Sequence, residues 1–453
     1  MIRNIFLICL VYCFIFSKNL YAETLHEVYA LAQKNDAEFL SKIYQGDAQS
    51  ENYYQMLALF FPKASFRLAR TKTIQNIISA DNQVFASGET SYPTFEYELT
   101  VRQSIYNQAH WEKLWQAETE EKKIAAELQI VKQDLILKVI ERYFSVLNIR
   151  EEYKSLLQEA IGLNEQYETI KTKLQSGLEK KIVLKKARAV YLDVLTRQEE
   201  ARYKFEDAIA GLQEITGRDI QTLNELSTHF PLVNPDPLSV EVWVTNATLH
   251  NPEIIGQKEA MHIASQEIGV QKAKHYPTID FVFSHGRRKA EGTLFGGGSD
   301  IEDTKMMFEL NVPFLEGGAV MSMVRQAESL EKKGESELIQ IKRKVKREAR
   351  SAFNGVKISL LRINSFKELQ EASEDEVNYL GQLYKMGIIS SLETIESKRA
   401  LAKVIADYSN SRYEYVLSMM RLKRTVGILS EKDLTDLTDF FLGQGTLLSL
   451  PES

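Results

Sequence analysis

Two carboxylates one helical turn apart, Glu393 and Glu396, are the residues of this 453-residue chain best spaced to do chemistry. They follow a glycine turn at Gly387, and their i, i+3 spacing places both on one helix face. Facing carboxylates from several copies would select for cations and bind blocking metal ions. Ser390 supports a second interpretation, because Ser390-x-x-Glu393 has the pattern of a capping box. The sequence leaves both interpretations open, and they are compatible for Glu393.

The rest of the chain shows no catalytic motif. Its seven histidines are scattered without metal-ligand spacing, and no nucleophile elbow, zinc-protease motif or phosphate loop is present. Both cysteines, Cys9 and Cys13, lie close to the N-terminus. We therefore expect no enzyme activity, no bound metal and no cofactor.

The first 22 residues have the pattern of a cleaved secretory signal peptide. Arg3 gives a positive start, Ile5 to Phe16 form an apolar run, and Ala22 ends a small-residue cleavage site. This run is short for a membrane-spanning helix, which needs about 20 residues. Loss of Arg3 and Lys18 would change the net charge from −6 to −8. The composition thus predicts an exported protein that does not bind nucleic acid.

The rest of the chain contains the same sequence pattern twice. An offset of 215 residues relates Pro62 to Pro277 and Phe66 to Phe281. Later an offset of 210 relates several further pairs: Gln116 to Gln326, Gly177 to Gly387, Arg202 to Arg412 and Gly217 to Gly427. Such a duplication predicts two pseudo-symmetric halves. We assign these halves to residues 23–217 and 238–428, a linker to residues 218–237, and a C-terminal segment with a flexible tail to residues 429–453.

Each half is dominated by a hairpin of long helices. No proline interrupts the helical pattern from Ala109 to about Gln175 or from Ala319 to about Lys385, and each stretch would span roughly 100 Å. Two apolar stripes on one helix, Ile130-Leu137-Phe144 and Leu128-Val131-Leu135-Val139, predict helical neighbours on two sides. Each long helix reverses at a glycine, where a C-terminal cap is expected.

A broken helix and a strand pair precede each hairpin. The broken helices are predicted from Thr24 to about Leu59, with a break near Asn35, and from about Leu238 to Ala273, with a break at Pro252. The strands alternate apolar and polar residues, with Phe95, Tyr97, Leu99 and Val101 in the first half and Met306, Phe308, Leu310 and Val312 in the second. One face of each strand should therefore meet an apolar environment. Turn-rich loops are predicted from about Thr73 to Tyr92 and from about Lys289 to Asp303.

The number of strands poses a closure problem. A sheet in a bilayer must close, because its edges find no water there. The smallest useful barrels need about 8 strands, whereas one chain offers four. A dimer would supply about 8 strands and a filled interior, and a trimer about 12 and a passage. The alternative is a soluble β-sandwich joined to a coiled coil, which would leave the duplicated long helices without a purpose.

Two motifs carry a resemblance to the TolC family of outer-membrane efflux and secretion channels. They are Gln103-Ser104-Ile105-Tyr106 leading into Trp111, and Val312-Pro313-Phe314-Leu315-Glu316-Gly317-Gly318. The resemblance covers Thr24 to Phe440. It implies a mainly α-helical homotrimer, with a 12-stranded β-barrel in the outer membrane of a Gram-negative bacterium above a 12-helix α-barrel in the periplasm. The linker and the C-terminal segment would form a mixed belt around the helices.

The resemblance also implies roles for residues at the periplasmic entrance. Glu393 and Glu396 match the family's acidic rings, here as Glu rather than Asp. Tyr384 matches its gating tyrosine. The usual polar partners of that tyrosine are replaced, by Ile389 in the second half and by Ile182 and Val183 in the first, so apolar packing is the hypothesis for the closed entrance. The opposing interpretation of Tyr384 is an ordinary packing residue.

The turns between the long helices match the tips that a periplasmic adaptor contacts in the family, namely Gly177, Leu178, Gly387 and Ile388. The resemblance therefore implies an exit duct for drugs, toxic small molecules or polypeptides, in a tripartite efflux pump or a type I secretion system. Its partners would be an adaptor, an inner-membrane transporter and outer-membrane lipid. The alternative is a periplasmic adaptor or a structural coiled-coil protein, and such an adaptor has one hairpin rather than two.

Overall fold

Long helices dominate the computed structural model, which describes residues 23–78, 88–227, 230–292, 297–438 and 441–447. The predicted signal peptide, residues 1–22, and the end of the predicted tail, residues 448–453, lie outside the described residues. No helix in the described ranges combines the length and the apolarity that a membrane crossing requires.

The same order of helices and strands occurs in both halves of the sequence. The first half contains α1 (Leu25–Asn35), α2 (Ala37–Leu57), β1 (Lys63–Ile77), β2 (Gly88–Tyr106), α3 (Gln108–Gln175) and α4 (Lys181–Thr216). The second half contains α5 (Val240–His250), α6 (Pro252–Lys272), β4 (Thr278–Ala290), β5 (Ser299–Asn311), α7 (Ala319–Lys385) and α8 (Ser391–Val426). Between the halves lies β3 (Thr222–Leu226), and α9 (Glu431–Thr438) and β6 (Phe441–Leu447) follow the second half.

The two return helices, α4 and α8, end in the same way. Each stops at a glycine in the left-handed conformation, Gly217 with φ 69° and Gly427 with φ 86°. An asparagine at the break of each opening helix then binds a carbonyl of the last turn: Asn35 Nδ2 donates to Thr216 O at 2.7 Å, and Asn251 Nδ2 donates to Thr425 O at 2.8 Å. These bonds satisfy carbonyls that a helix end leaves without a partner.

The four predicted strands form one antiparallel sheet in the order β1-β2-β4-β5. Among the described residues, its outer strands, β1 and β5, each pair on one side only. Phe66, Leu68, Met306 and Phe308 share the apolar face and are 62–74% exposed. Both strand pairs extend further than predicted, because β1 continues to Ile77 opposite Gly88 and β4 continues to Ala290 opposite Ser299. The cross-strand hydrogen bonds continue into polar residues that the sequence pattern assigned to loops.

A second, two-stranded sheet was missed by the sequence analysis. It pairs β3 of the linker with β6 of the C-terminal segment, with Thr222 opposite Leu447. Gly443 and Gly445 weaken the strand signal of β6 in the sequence. The pairing nevertheless joins the two segments that the family resemblance places in one belt.

The chain divides into two compact units that each draw on both sequence halves. One unit comprises the described residues up to Tyr44, those within Glu127–Ile254, and those from Ile341 onward. The other comprises Gln45–Ala126 and Ile255–Gln340, and it contains the four-stranded sheet. The predicted boundaries therefore follow the repeats along the sequence, whereas the compact units follow spatial contact.

Tyr143 occupies the core of the first unit. Its hydroxyl donates to Asn224 O and accepts from Asn224 N–H, both at 2.8 Å. Its side chain is fully buried, and this burial raises the pKa of the phenol, so that it stays neutral and can donate. The neighbouring Phe144 packs its ring 5.0 Å from that of Tyr413. These contacts join the two hairpins to β3.

Candidate functional site

The turns between the long helices have the same geometry in both halves. Gly177 has φ 75° and Gly387 has φ 74°. Leu178 N–H donates to Lys173 O at 2.9 Å, and Ile388 N–H donates to Leu383 O at 3.0 Å. This is the six-to-one bond of a Schellman cap, and it requires a left-handed residue between its partners. A Cβ at either glycine would meet no atom within 4 Å, so the backbone angle rather than space calls for glycine.

Each turn presents a large apolar side chain outward. Leu178 is 77% exposed at the first turn, and Ile388 is 64% exposed at the second. Met386 beside it is 63% exposed. Apolar groups on two such turns form a surface suited to contact with another protein.

Glu393 takes part in the predicted capping box at the start of α8. Its Oε1 accepts hydrogen bonds from the Ser390 hydroxyl at 3.0 Å and from the Ser390 backbone N–H at 3.4 Å. The side chain remains exposed. The capping interpretation is therefore confirmed, and it leaves the carboxylate accessible to a cation.

Glu396 lies one turn further along α8 and is also exposed. Both residues between the two acids are buried, and Ile395, which is 1% exposed, packs in an apolar cluster that includes Leu156 and Val194. This packing turns the opposite face of α8, with both carboxylates, away from the cluster. Within the described part of the chain no ion pair engages Glu396.

The carboxylate pair belongs to the second hairpin alone. At the offset of 210 residues, Glu393 corresponds to Val183 and Glu396 to Lys186. Ser390 corresponds to Lys180, whose side chain makes no cap bond to α4. The first hairpin therefore lacks a counterpart of this acidic pair at the repeat-related positions.

Tyr384, near the end of α7, contacts a residue of the other hairpin. Lys173 Nζ donates to Tyr384 Oη at 3.2 Å and lies 5.0 Å from the centre of the ring. Both residues are half-buried. The pair joins the end of α3 to the end of α7 through a hydrogen bond and a cation–π contact.

A second tie between the hairpins lies further from the turns. Arg399 on α8 contacts both helices of the first hairpin, with Nε 2.7 Å from Glu159 Oε1 and Nη2 3.0 Å from Asp193 Oδ2. The Glu159 side chain is 7% exposed. Arg399 also borders a groove of about 620 Å³ that Glu396, Glu151, Arg197 and Lys403 line.

The three apolar residues predicted to close the entrance lie on the surface of this chain. Ile182 is 58% exposed, and Val183 and Ile389 are half-buried. Their packing against one another stays a prediction. The sequence analysis missed Lys173, Arg399, Glu159 and Asp193. A signal for Lys173 was present, since it precedes Leu174, which occupies the place of Tyr384 in the first half.

A metal centre is not evident in this region. Within the ranges that the structure describes, no group of three or more His, Cys, Asp or Glu side chains is arranged to hold an ion.

A sequence model of the outer membrane efflux protein family matches residues 28–218 and 243–428. Outer membrane protein TolC of Vibrio cholerae serotype O1 is 23% identical over 422 residues, which cover 93% of this chain and 94% of that protein. The alkaline protease secretion protein AprF of Pseudomonas aeruginosa is 20% identical, over 90% and 85% of the two chains. Among solved structures, the Campylobacter jejuni CmeC outer membrane channel superposes with a TM-score of 0.75 at 16% identity, over 92% and 89% of the chains.

Proposed function

The chain belongs to the outer membrane efflux protein family, and we propose that it is the outer-membrane exit duct of a tripartite efflux pump or a type I secretion system. It conducts cargo and is not an enzyme. The observation that carries this conclusion is the four-stranded sheet with an exposed apolar face, joined to two long helical hairpins.

The duct is a homotrimer in the outer membrane. This proposal is supported by the two edges of the sheet, because β1 and β5 each need a further strand. Three copies would supply 12 strands, enough to enclose a passage. Their six hairpins would continue the wall as 12 helices on the periplasmic side.

The entrance is lined by Glu393 and Glu396. Threefold symmetry would convert the exposed pair on each α8 into two stacked rings of three carboxylates. Such rings favour cations over anions and bind divalent ions that block the passage. The cap that Ser390 provides would hold the first ring in a fixed orientation.

The closed entrance is held by contacts between the hairpins of one chain. Lys173 with Tyr384, and Arg399 with Glu159 and Asp193, supply these contacts. Opening requires the second hairpin to move from the first, which breaks both ties. Apolar packing of Ile182, Val183 and Ile389 is the additional contact that neighbouring chains would complete.

The partners are a periplasmic adaptor and an inner-membrane transporter, with which channels of this family work. We place the adaptor contact at the turns, Gly177-Leu178 and Gly387-Ile388, because both present apolar side chains. The transporter supplies the energy, and the duct supplies the passage and its gate.

Single-channel recording in planar bilayers tests the proposal. Purified chain should insert spontaneously and give uniform, cation-selective conductance steps that divalent ions reduce. A periplasmic adaptor or structural coiled-coil protein would give no conductance and would be extracted by salt rather than by detergent.

A further inference from the structure

On β1 two cations interrupt the apolar face of the four-stranded sheet, between Leu68 and the exposed Ile74. Near the helices this face carries Phe66 and Leu68 on β1 and Phe308 and Met306 on β5, all strongly exposed. Towards the strand-connecting loops, the next same-face positions on β1 are Arg70 and Lys72. Successive residues of a strand alternate between faces, so these cations continue the apolar row.

The strand register places further cations at the same level. Leu68 lies opposite Tyr97, which lies opposite Arg287, and Arg70 lies opposite Phe95, which lies opposite Lys289. Arg70 and Lys289 are thus two strand spacings apart, about 10 Å. The exposed ring of Phe95 lies between them.

Acidic partners account for only part of this charge. Arg287 binds both carboxylate oxygens of Asp300, at 2.7 Å each. Lys289 faces the same Asp300 in the register, but both oxygens are already engaged by Arg287. Arg70 and Lys72 are exposed and have no ion pair within the described residues, since they face Phe95 and Pro93.

The opposite face of the same strands is arranged differently. There Arg67 of β1 lies directly opposite Glu98, and Arg288 of β4 lies directly opposite Glu96. Cross-strand neighbours of opposite charge stabilise a sheet, and on this face the register gives both cations an acidic neighbour. On the apolar face Arg70 and Lys72 of β1 lie opposite Phe95 and Pro93, whereas Arg287 and Lys289 of β4 lie opposite Glu302 and Asp300 of β5.

We propose that Arg70, Lys72 and Lys289 form a band that binds the phosphate groups of lipid headgroups, in the leaflet that surrounds the loop-bearing end of the barrel. This inference rests on the proposed function, which puts the apolar face against lipid. An apolar band flanked by aromatic residues marks the hydrocarbon region of a barrel, and Tyr97 and Phe95 lie where that band ends. Arg and Lys just beyond it would meet phosphates, which Arg binds through paired N–H groups.

Binding of a diphosphorylated glycolipid to the purified, detergent-solubilised full chain tests the proposal. The probes are this fluorescent lipid, the same lipid without phosphates, and inorganic phosphate as competitor. We expect strong binding of the phosphorylated lipid, weak binding of the dephosphorylated lipid, and no effective competition by inorganic phosphate. Equal binding of both lipids would overturn the proposal. Full competition by inorganic phosphate would show a simple anion site rather than a lipid site, and would overturn the proposal as well.

Two double variants distinguish lipid binding by this band of cations from an effect of the net charge of the protein. Arg70→Gln with Lys72→Gln should weaken binding roughly thirty-fold, about fivefold for each cation removed from an anionic lipid surface. The matched control, Arg67→Gln with Arg288→Gln, removes the same charge from the opposite face and should bind like the wild type. Wild-type binding by the first variant, or equal losses in both, would contradict the proposal.

Measuring the conductance of each variant separates a failure of the lipid-binding proposal from a failure of the proposed function. If all variants conduct and lipid binding does not differ between them, the proposed lipid-binding band is wrong. The proposed function as an exit duct is then unaffected. If the wild type does not conduct, the proposed function itself fails. Should the double variant not assemble, Lys289→Gln alone is measured and should lose binding about fivefold.

Discussion

Lys173 and Tyr384 are 211 positions apart in the sequence, yet the lysine Nζ lies 3.2 Å from the tyrosine hydroxyl and 5.0 Å from its ring centre. The contact joins the two hairpins next to their turns. The sequence analysis expected apolar packing near this tyrosine, because Ile182 and Val183 of α4 replace its usual polar partners. A cation from α3 contacts the tyrosine instead.

Replacing Lys173 by Met should loosen the closed entrance. The change removes the hydrogen bond and the cation–π contact, together about 1 kcal/mol per chain at this half-exposed position. We expect larger or more frequent conductance openings in single-channel recordings. Tyr384→Phe keeps the ring and should have a smaller effect.

Lys171→Met is the matched control for that prediction. Lys171 pairs with Glu168 on its own helix, and in the described structure it forms no hydrogen bond or ion pair with the second hairpin. Its loss should leave the recordings unchanged. A change as large as that of Lys173→Met would show that net charge, rather than the contact with Tyr384, controls opening.

Replacing Arg399 by Met should destabilise the bundle more than removal of its partner. The substitution leaves the carboxylate of Glu159 nearly buried without a cation, at a cost of roughly 1–3 kcal/mol. Glu159→Gln should cost less, because the neutral amide tolerates burial. Thermal unfolding of the purified chain measures both. Smaller destabilisation by Arg399→Met than by Glu159→Gln would contradict the assignment.

Glu393→Gln combined with Glu396→Gln should reduce cation selectivity and weaken block by divalent ions. The reason is the loss of six carboxylates from the entrance of the proposed trimer. Reversal potentials in a salt gradient provide the measurement. Ser390→Ala is the control, since it removes the cap at a cost of about 1 kcal/mol and leaves both carboxylates in place. Unchanged selectivity in the double variant would show that these residues do not line the passage.

Gly177→Ala and Gly387→Ala should each destabilise their hairpin by about 1–2 kcal/mol, since an alanine resists the left-handed conformation. Gly162→Ala is the matched control, because Gly162 lies inside α3 with open space around its Cβ position. That change should stabilise the helix by about 0.5–1 kcal/mol. Thermal unfolding compares the three variants, and equal effects would refute the role of the backbone angle.

The sequence predicted those features of the fold that depend on short-range residue patterns. Glycines at 177, 217, 387 and 427 and the absence of proline set the bounds of the long helices almost to the residue. Alternating residues identified the four strands of the sheet. The Lys173–Tyr384 and Arg399–Glu159 contacts were not predictable in this way, because each depends on how two separate hairpins pack. The β3–β6 pairing was hidden for a similar reason, since β6 gains its strand conformation from a partner more than 200 residues away.

A cysteine cross-linking scan tests the central claim, that β1 of one chain pairs with β5 of the next. Residues 23–453 contain no cysteine, so introduced thiols react without competition. Thr71→Cys on β1 is combined in turn with single cysteines along β5, such as Lys305→Cys or Met307→Cys, and the membrane-inserted protein is oxidised. We predict that a subset of these pairs gives a covalent trimer on denaturing gels and that neither single variant does. Monomers alone across the whole scan would contradict the shared barrel.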